Sequence, residues 1–168
     1  NESPSMKFTR STISQLFAMA ALVTSGVAFA SGTHAGGHGD GGETAIGKPG
    51  IAAKASRTIT IEMSDNMRYT PSNLQVKQGE TVRFIVKNTG QVKHELSLGT
   101  EKELLEHLEQ MKKFPDMEHD EPSKITLGPG KQGDIVWQFT KAGVVNFACL
   151  MPGHYEAGMK GAIKVGRK

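Results

Sequence analysis

The sequence predicts an all-β fold, a Greek-key β-sandwich with one inserted helix near residues 101–113. Three observations carry this. From residue 57 onward, seven or eight short runs of alternating apolar and polar residues follow one another. Gly and Pro turns separate those runs, as in GPG at 128–130 and KAG at 141–143. One segment alone has helical spacing with a capping signal at its start.

Taken in order, residues 1–30 read as an address rather than as fold. Met6, Lys7 and Arg10 make a basic start, 13–29 (ISQLFAMAALVTSGVAF) is apolar with small residues, and Ala28-Phe29-Ala30 is a small-x-small cleavage signal. A secretory signal peptide ending near Ala30 is expected, with residues 1–5 a short extension before Met6. The alternative, a membrane anchor, is disfavoured because the run is short, holds Thr24, Ser25 and Gly26, and lacks a basic stop. The expectation is therefore a periplasmic protein with no membrane insertion after cleavage. About 140 residues remain, enough for one domain with a single core.

Residues 31–56 (SGTHAGGHGDGGETAIGKPGIAAKAS) are rich in Gly and Ala with almost no large apolar side chain, so a flexible tail is expected. His34 and His38 within it form a candidate weak metal-collecting element. The domain proper is expected over 57–168.

There, Ile59 and Ile61 alternate with polar neighbours in a half-buried strand over 57–63. Tyr69-Thr-Pro71 reads as a bend, Leu74 and Val76 mark a short strand, and QGE at 78–80 turns the chain into a strand over 81–87. A further strand begins at His94 and runs to Leu98. Thr100-Glu-Lys-Glu103 is a capping box opening the helix 101–113, with Leu104, Leu105, Leu108 and Met111 along one face. An acidic loop over 116–122 follows, then strands over 124–127, 133–139, 144–149 and 161–165.

The formal charge is +3; removing residues 1–30 takes away Lys7, Arg10 and Glu2 and leaves +2. Basic residues are scattered among acids, without the dense stripe a nucleic-acid partner requires. Cys149 is the single cysteine, in a chain expected in an oxidising compartment where thiols usually pair. An inert buried thiol, an intermolecular disulfide and a metal ligand are the alternatives until its neighbours are read.

Those neighbours decide it. FACLMPGHYEAGM over 147–159 places the thiol of Cys149, the imidazole of His154 and the thioether of Met159 in one loop between two strands. Thiolate, imidazoles and a weak thioether form the ligand set of a single type 1 copper ion. The second imidazole is assigned to His94. His107 is a poor rival among Glu103, Glu106 and Glu109 on the helix, where a solvated surface position is expected. Met151, two residues from Cys149 and before Pro152, is a poor rival to Met159 and is expected to pack over the site. No nucleophile–base constellation such as G-x-S-x-G occurs, and a closed four-ligand set leaves no substrate position, so no enzymatic activity is expected. A multicopper oxidase or nitrite reductase would need more ligands, often His-x-His pairs, and the sequence has none.

His94 with Cys149-x4-His154-x4-Met159 resembles the cupredoxins, the group of plastocyanin, azurin and rusticyanin, with loop spacing like that of rusticyanin. The wider pattern MRYTPSNLQVKQGETVRFIVKN, KHELSLGT, KKFPDMEHDEP and GDIVWQF resembles, more specifically, the periplasmic copper-tolerance cupredoxins called CopI, over 57–165. That resemblance implies copper tolerance or copper handling, with a redox or copper-delivery protein as partner; a soluble electron-transfer role, docking around His154, is the alternative. A monomer is expected. One position departs from many electron carriers, where Asn or Ser directly after the upstream histidine tethers the cysteine loop: here it is Glu95, which implies different hydrogen bonding around the ligands. Met117-Glu-His119-Asp, with Met67, is a candidate accessory Cu(I) site.

Overall fold

A computed structural model describes residues 42–114 and 121–168. The expected signal segment, His34, His38, Met117 and His119 lie outside the described residues.

Among the described residues, ten strands form two five-stranded sheets. Strands β1 (Lys48–Pro49), β2 (Arg57–Ser64), β3 (Arg68–Thr70), β5 (Thr81–Asn88) and β8 (Gln132–Gln138) make one sheet, in the order β1-β8-β5-β2-β3. Strands β4 (Asn73–Lys77), β6 (His94–Gly99), β7 (Lys124–Leu127), β9 (Gly143–Ala148) and β10 (Lys160–Gly166) make the other, in the order β4-β10-β9-β6-β7. Pairing is parallel for β2–β5 and β4–β10 and antiparallel elsewhere.

The alternation that identified the strands also builds the core. On β5, Val82, Phe84 and Val86 point inward while Arg83 points out and pairs with Asp134 at 2.9 Å. Ile61 on β2, Leu96 on β6, Phe147 on β9 and Ile163 on β10 fill the same space from their own strands. Tyr69 packs edge-on to Phe147 with ring centroids 5.0 Å apart, and Phe84 to Phe139 at 6.1 Å, the geometry that aromatic quadrupoles favour.

The helix α1 spans Glu101–Lys113, as its capping box predicts: Thr100 Oγ1 accepts the Glu103 N–H at 3.2 Å, and the Glu103 carboxylate accepts the Thr100 N–H at 2.8 Å. Leu104, Leu108 and Met111, at helical spacings of four and three, form a second apolar cluster with Ala148 and Leu150, with Tyr155 packed against it. Leu105 departs from the expected face. It lies about 100° round the helix from Leu104 and is exposed. The helix thus braces the residues on either side of Cys149.

Two elements differ from the sequence expectation. Residues expected to belong to a coreless tail ending at 56 instead contribute to the sandwich: β1 pairs with β8, Ile46 is only 5% exposed, and its carbonyl accepts the indole N–H of Trp137 at 3.0 Å. A buried Trp N–H needs an acceptor, and edge strand β8 gains cover. Both demands come from residues some ninety positions away. Likewise Tyr69 is not only a bend; β3 pairs with the end of β2, Met63 opposite Tyr69.

The helix packing yields a direct test. Leu108→Ala should lower the unfolding free energy by about 2–5 kcal/mol in chemical denaturation, as for other buried leucines. Leu105→Ala should change it by no more than about 0.5 kcal/mol, the surface range.

Candidate metal centre

Antiparallel pairing of β6 with β9 sets Ser97 opposite Ala148. That register brings Cys149, the residue after β9, alongside the start of β6, where His94 stands. The loop from Cys149 to Met159 then closes on itself. The Cys149 N–H donates to the Met159 carbonyl at 3.1 Å, the Met159 N–H to the His154 carbonyl at 3.0 Å, and the His154 N–H to the Met151 carbonyl at 3.0 Å. His154 is thereby folded back over Cys149.

The side chains of His94, Cys149 and His154 converge so that one ligand atom from each lies within 4.8 Å of the others. Cys149 Sγ is 3.2 Å from His154 Nδ1, and the two imidazole rings have centroids 5.0 Å apart. His94 and Cys149 are fully buried, and His154 is partly exposed. His94 Nε2 lies 2.9 Å from Asp65 Oδ1. Since an ionised carboxylate only accepts, Nε2 carries the proton and Nδ1 presents a lone pair. That Nδ1 is buried with no hydrogen-bond partner. Buried polar atoms are rarely left unpaired, so an unpartnered imidazole nitrogen on a residue that converges with a thiol and a second imidazole has the character of a metal ligand. The donor set, one thiolate and two imidazoles, suits copper.

Met159 is fully buried and packs in the core cluster that also contains Cys149. Met151 and Met67 are half-buried against that cluster. His107 is half-buried on α1, less solvated than expected, and is not one of the three converging donors.

The shell around the sulfur is equally specific. The backbone N–H of Glu95 points at Cys149 Sγ at 3.3 Å. The Glu95 carbonyl accepts the hydroxyl of buried Tyr69 at 2.5 Å, which holds that peptide in place. The Glu95 carboxylate, the departure noted in the sequence, is buried and accepts the hydroxyls of Ser97 at 3.2 Å and Thr126 at 3.3 Å. Its side chain is taken up within β6 and β7; its backbone serves the sulfur. Asp65 is a participant that sequence reasoning missed. Its position in a turn after β2 is legible, but its approach to His94, 29 residues away, is not.

Without metal, burial pushes the Cys149 thiol up to about 11, partly opposed by the N–H groups of Glu95 and Met151. Desolvation, reinforced by His94, holds His154 below the ordinary histidine range. Tyr69 is raised well above the ordinary phenol, first by burial and then by Cys149 and Glu95. At neutral pH the metal-free centre is thus a neutral thiol beside a neutral His154.

A two-sheet sandwich with a His-Cys-His cluster where β6 meets the β9–β10 loop defines a copper-binding sandwich protein, a cupredoxin. Residues 55–166 match the family described as copper binding proteins, plastocyanin/azurin family, and the chain belongs to that family. It is 47% identical over 153 residues to the copper-resistant cuproprotein CopI of Rubrivivax gelatinosus, covering 91% of this chain and 92% of that one. It is 38% identical over 176 residues to the protein of the same name in Pseudomonas aeruginosa, covering 87% and 94%. Among solved structures, dithionite-reduced auracyanin from Roseiflexus castenholzii superposes with a TM-score of 0.57 at 27% identity, covering 67% of this chain and 98% of auracyanin.

Protonation gives a prediction. Because the thiol is protonated up to about 11 and must lose its proton to bind metal, copper loading between pH 7 and 9 should release one proton. Apparent affinity should rise about tenfold per pH unit in that range. Proton release in weakly buffered solution, with competition titrations at several pH values, measures both; a pH-independent affinity would contradict the assignment.

Proposed function

We propose that this protein is exported to the periplasm, where it binds one type 1 copper ion through His94, Cys149, His154 and Met159 and serves in copper tolerance. The observation that carries the copper centre is the partnerless, buried Nδ1 of His94 on a residue that converges with Cys149 and His154. Support for tolerance comes from relatives at 47% and 38% identity that are named as copper-resistant cuproproteins, each matched over nearly its whole length. Support for export comes from the basic start, apolar run and small-x-small signal of residues 1–30. No helix among the described residues is long and apolar enough to cross a membrane.

In this reading His94, Cys149 and His154 would hold the copper through two imidazoles and a thiolate, and the Met159 thioether would be a weaker fourth donor. Bound copper supplies a one-electron couple. The chain's own residues do the rest. Glu95 N–H withdraws charge from the sulfur, the sandwich core holds Cys149 dry, and the β9–β10 loop fixes His154 relative to Cys149 through its backbone bonds. With both strands and helix resisting rearrangement, one donor geometry serves both oxidation states. The centre is non-catalytic in this reading, because four protein donors leave no open position.

Electron transfer to a soluble partner is the second reading. It is favoured by the partial exposure of His154 at a centre whose other donors are buried. Deleting the gene separates the two: a growth defect confined to elevated copper supports tolerance, and a respiratory defect at ordinary copper supports electron transfer.

Copper-loaded protein should show intense visible thiolate-to-copper absorption that Cys149→Ser abolishes. A parent without that band would overturn the type 1 assignment. Met159→Leu should retain stoichiometric copper and shift the reduction potential, as a weak fourth donor requires; loss of copper binding would contradict that weak role.

A further inference from the structure

Beyond the donors themselves, the β2–β3 turn touches both halves of the centre. Asp65 Oδ1 sits 2.9 Å from His94 Nε2, and the same carboxylate accepts the N–H of Gln91 at 2.7 Å and of Val92 at 3.4 Å. One side chain therefore binds both the imidazole and the backbone leading into β6. Three residues on, Arg68 Nη1 donates to the carbonyl of Ala157 in the β9–β10 loop at 2.8 Å and to the Met67 carbonyl of its own turn at 2.7 Å. The two charged residues thus reach from one turn in two directions, one to His94 and one to the loop carrying His154 and Met159.

The turn is stiff. The Met67 N–H donates to the Ser64 carbonyl at 3.0 Å, Ser64 Oγ donates to Asn66 Oδ1 at 2.7 Å, and Ser64 pairs with Arg68 across the hairpin. Met67 takes the left-handed conformation, φ 59°, that closes a three-residue hairpin loop, a place where glycine is usual. A methionine is held there with its side chain packed on the core.

Two glycines make room for these contacts. A Cβ on Gly90 would lie 1.9 Å from Asp65 Oδ1, and a Cβ on Gly158 would lie 2.8 Å from Arg68 Nη1. Gly90 has no positive φ, so its backbone accepts alanine and the obstacle is the Asp65 carboxylate itself. At Gly158, φ is +101°, so alanine would be strained there on two grounds.

We infer that the Asp65–Arg68 turn is the tether of this copper centre. Asp65 acts as a positioning residue that fixes the tautomer and orientation of His94, and Arg68 acts as a clamp on the ligand loop. The turn fills the place that an Asn or Ser after the upstream histidine takes in many electron carriers, since the Glu95 side chain is committed to Ser97 and Thr126. Carboxylates that hydrogen-bond a metal-ligating histidine orient it and raise its basicity, and their loss typically costs 10–100-fold in metal affinity.

The inference rests on the copper reading, and the test separates the two. Full-length parent, Asp65→Ala, Asp65→Asn, Gly90→Ala and Arg68→Ala are compared for metal-free thermal unfolding, copper release to a chelator, visible and electron paramagnetic resonance spectra, and reduction potential. Asp65→Ala should release copper roughly 10–100-fold faster, change the relative intensities of the thiolate bands and raise the potential, because a less basic His94 favours Cu(I). Gly90→Ala, which retains Asp65 but displaces its carboxylate, should reproduce the faster release and the spectral change. Asp65→Asn, which keeps an oxygen acceptor, should recover most of the loss. Arg68→Ala should also speed release, and combined with Asp65→Ala should add less than its separate effect, the mark of a shared element. Parent-like release and spectra in both Asp65→Ala and Gly90→Ala overturn the role of Asp65, and parent-like release in Arg68→Ala overturns the clamp. Should Asp65→Ala fail to fold, Asp65→Asn and Gly90→Ala carry the comparison. Failure of the copper reading would appear separately, as a parent lacking the intense band.

Discussion

The antiparallel register of β6 against β9 is the constraint on which the centre depends. With Ser97 opposite Ala148, the strand bearing His94 and the strand ending at Cys149 lie side by side, and the Glu95 N–H meets the sulfur. A slip of one residue would send every side chain on the moved strand to the opposite face. The sandwich interior resists that slip, because Leu96, Phe147 and Ile163 must all face it together. Packing energy spent on an ordinary core thus becomes positional accuracy for the thiol and imidazole.

On that base the site is assembled from unequal parts. Strand β6 carries His94, while Cys149 and His154 stand in the short loop after β9 that its own backbone hydrogen bonds close. Helix α1, inserted after β6, returns to cover Ala148 and Leu150, the residues on either side of Cys149. In the metal-free centre the thiol and His154 are both uncharged at neutral pH. Burial keeps the thiol protonated and the half-buried imidazole of His154 uncharged, so the fold need not hold an unpaired buried thiolate before metal arrives. The Cys149 thiolate would form only as it gives up its proton to a bound cation.

The polar shell is distributed over several elements. Tyr69 on β3 holds the Glu95 peptide; Asp65 and Arg68 reach in from the β2–β3 turn; Ser97 and Thr126 receive the Glu95 carboxylate. Each is bonded in turn to backbone or to another side chain. Such connected networks are worth more to orientation than isolated bonds, because no member can rotate alone.

Much of this was legible from residue order, for physical reasons that differ between elements. Alternation at period two identified β2, β5 and β8, and the capping box placed α1 to the residue, because those signals are local. Cys149 and His154 were legible together because one loop carries both, and the softness of a thiol beside imidazoles selects the metal. His94 required elimination among histidines. What sequence order did not disclose depends on contacts between distant residues: Ile46 under Trp137, the pairing of β3, Leu105 turned outward, the Glu95 carboxylate held within β6 and β7, and above all Asp65 beside His94. By itself the sequence determined the kind of fold, the donor chemistry and the metal those donors suit, since each follows from residue types at short spacing. Only the tertiary structure decided which nitrogen of His94 faces the thiol and what holds it there, because a hydrogen bond across 29 residues leaves no trace in local pattern.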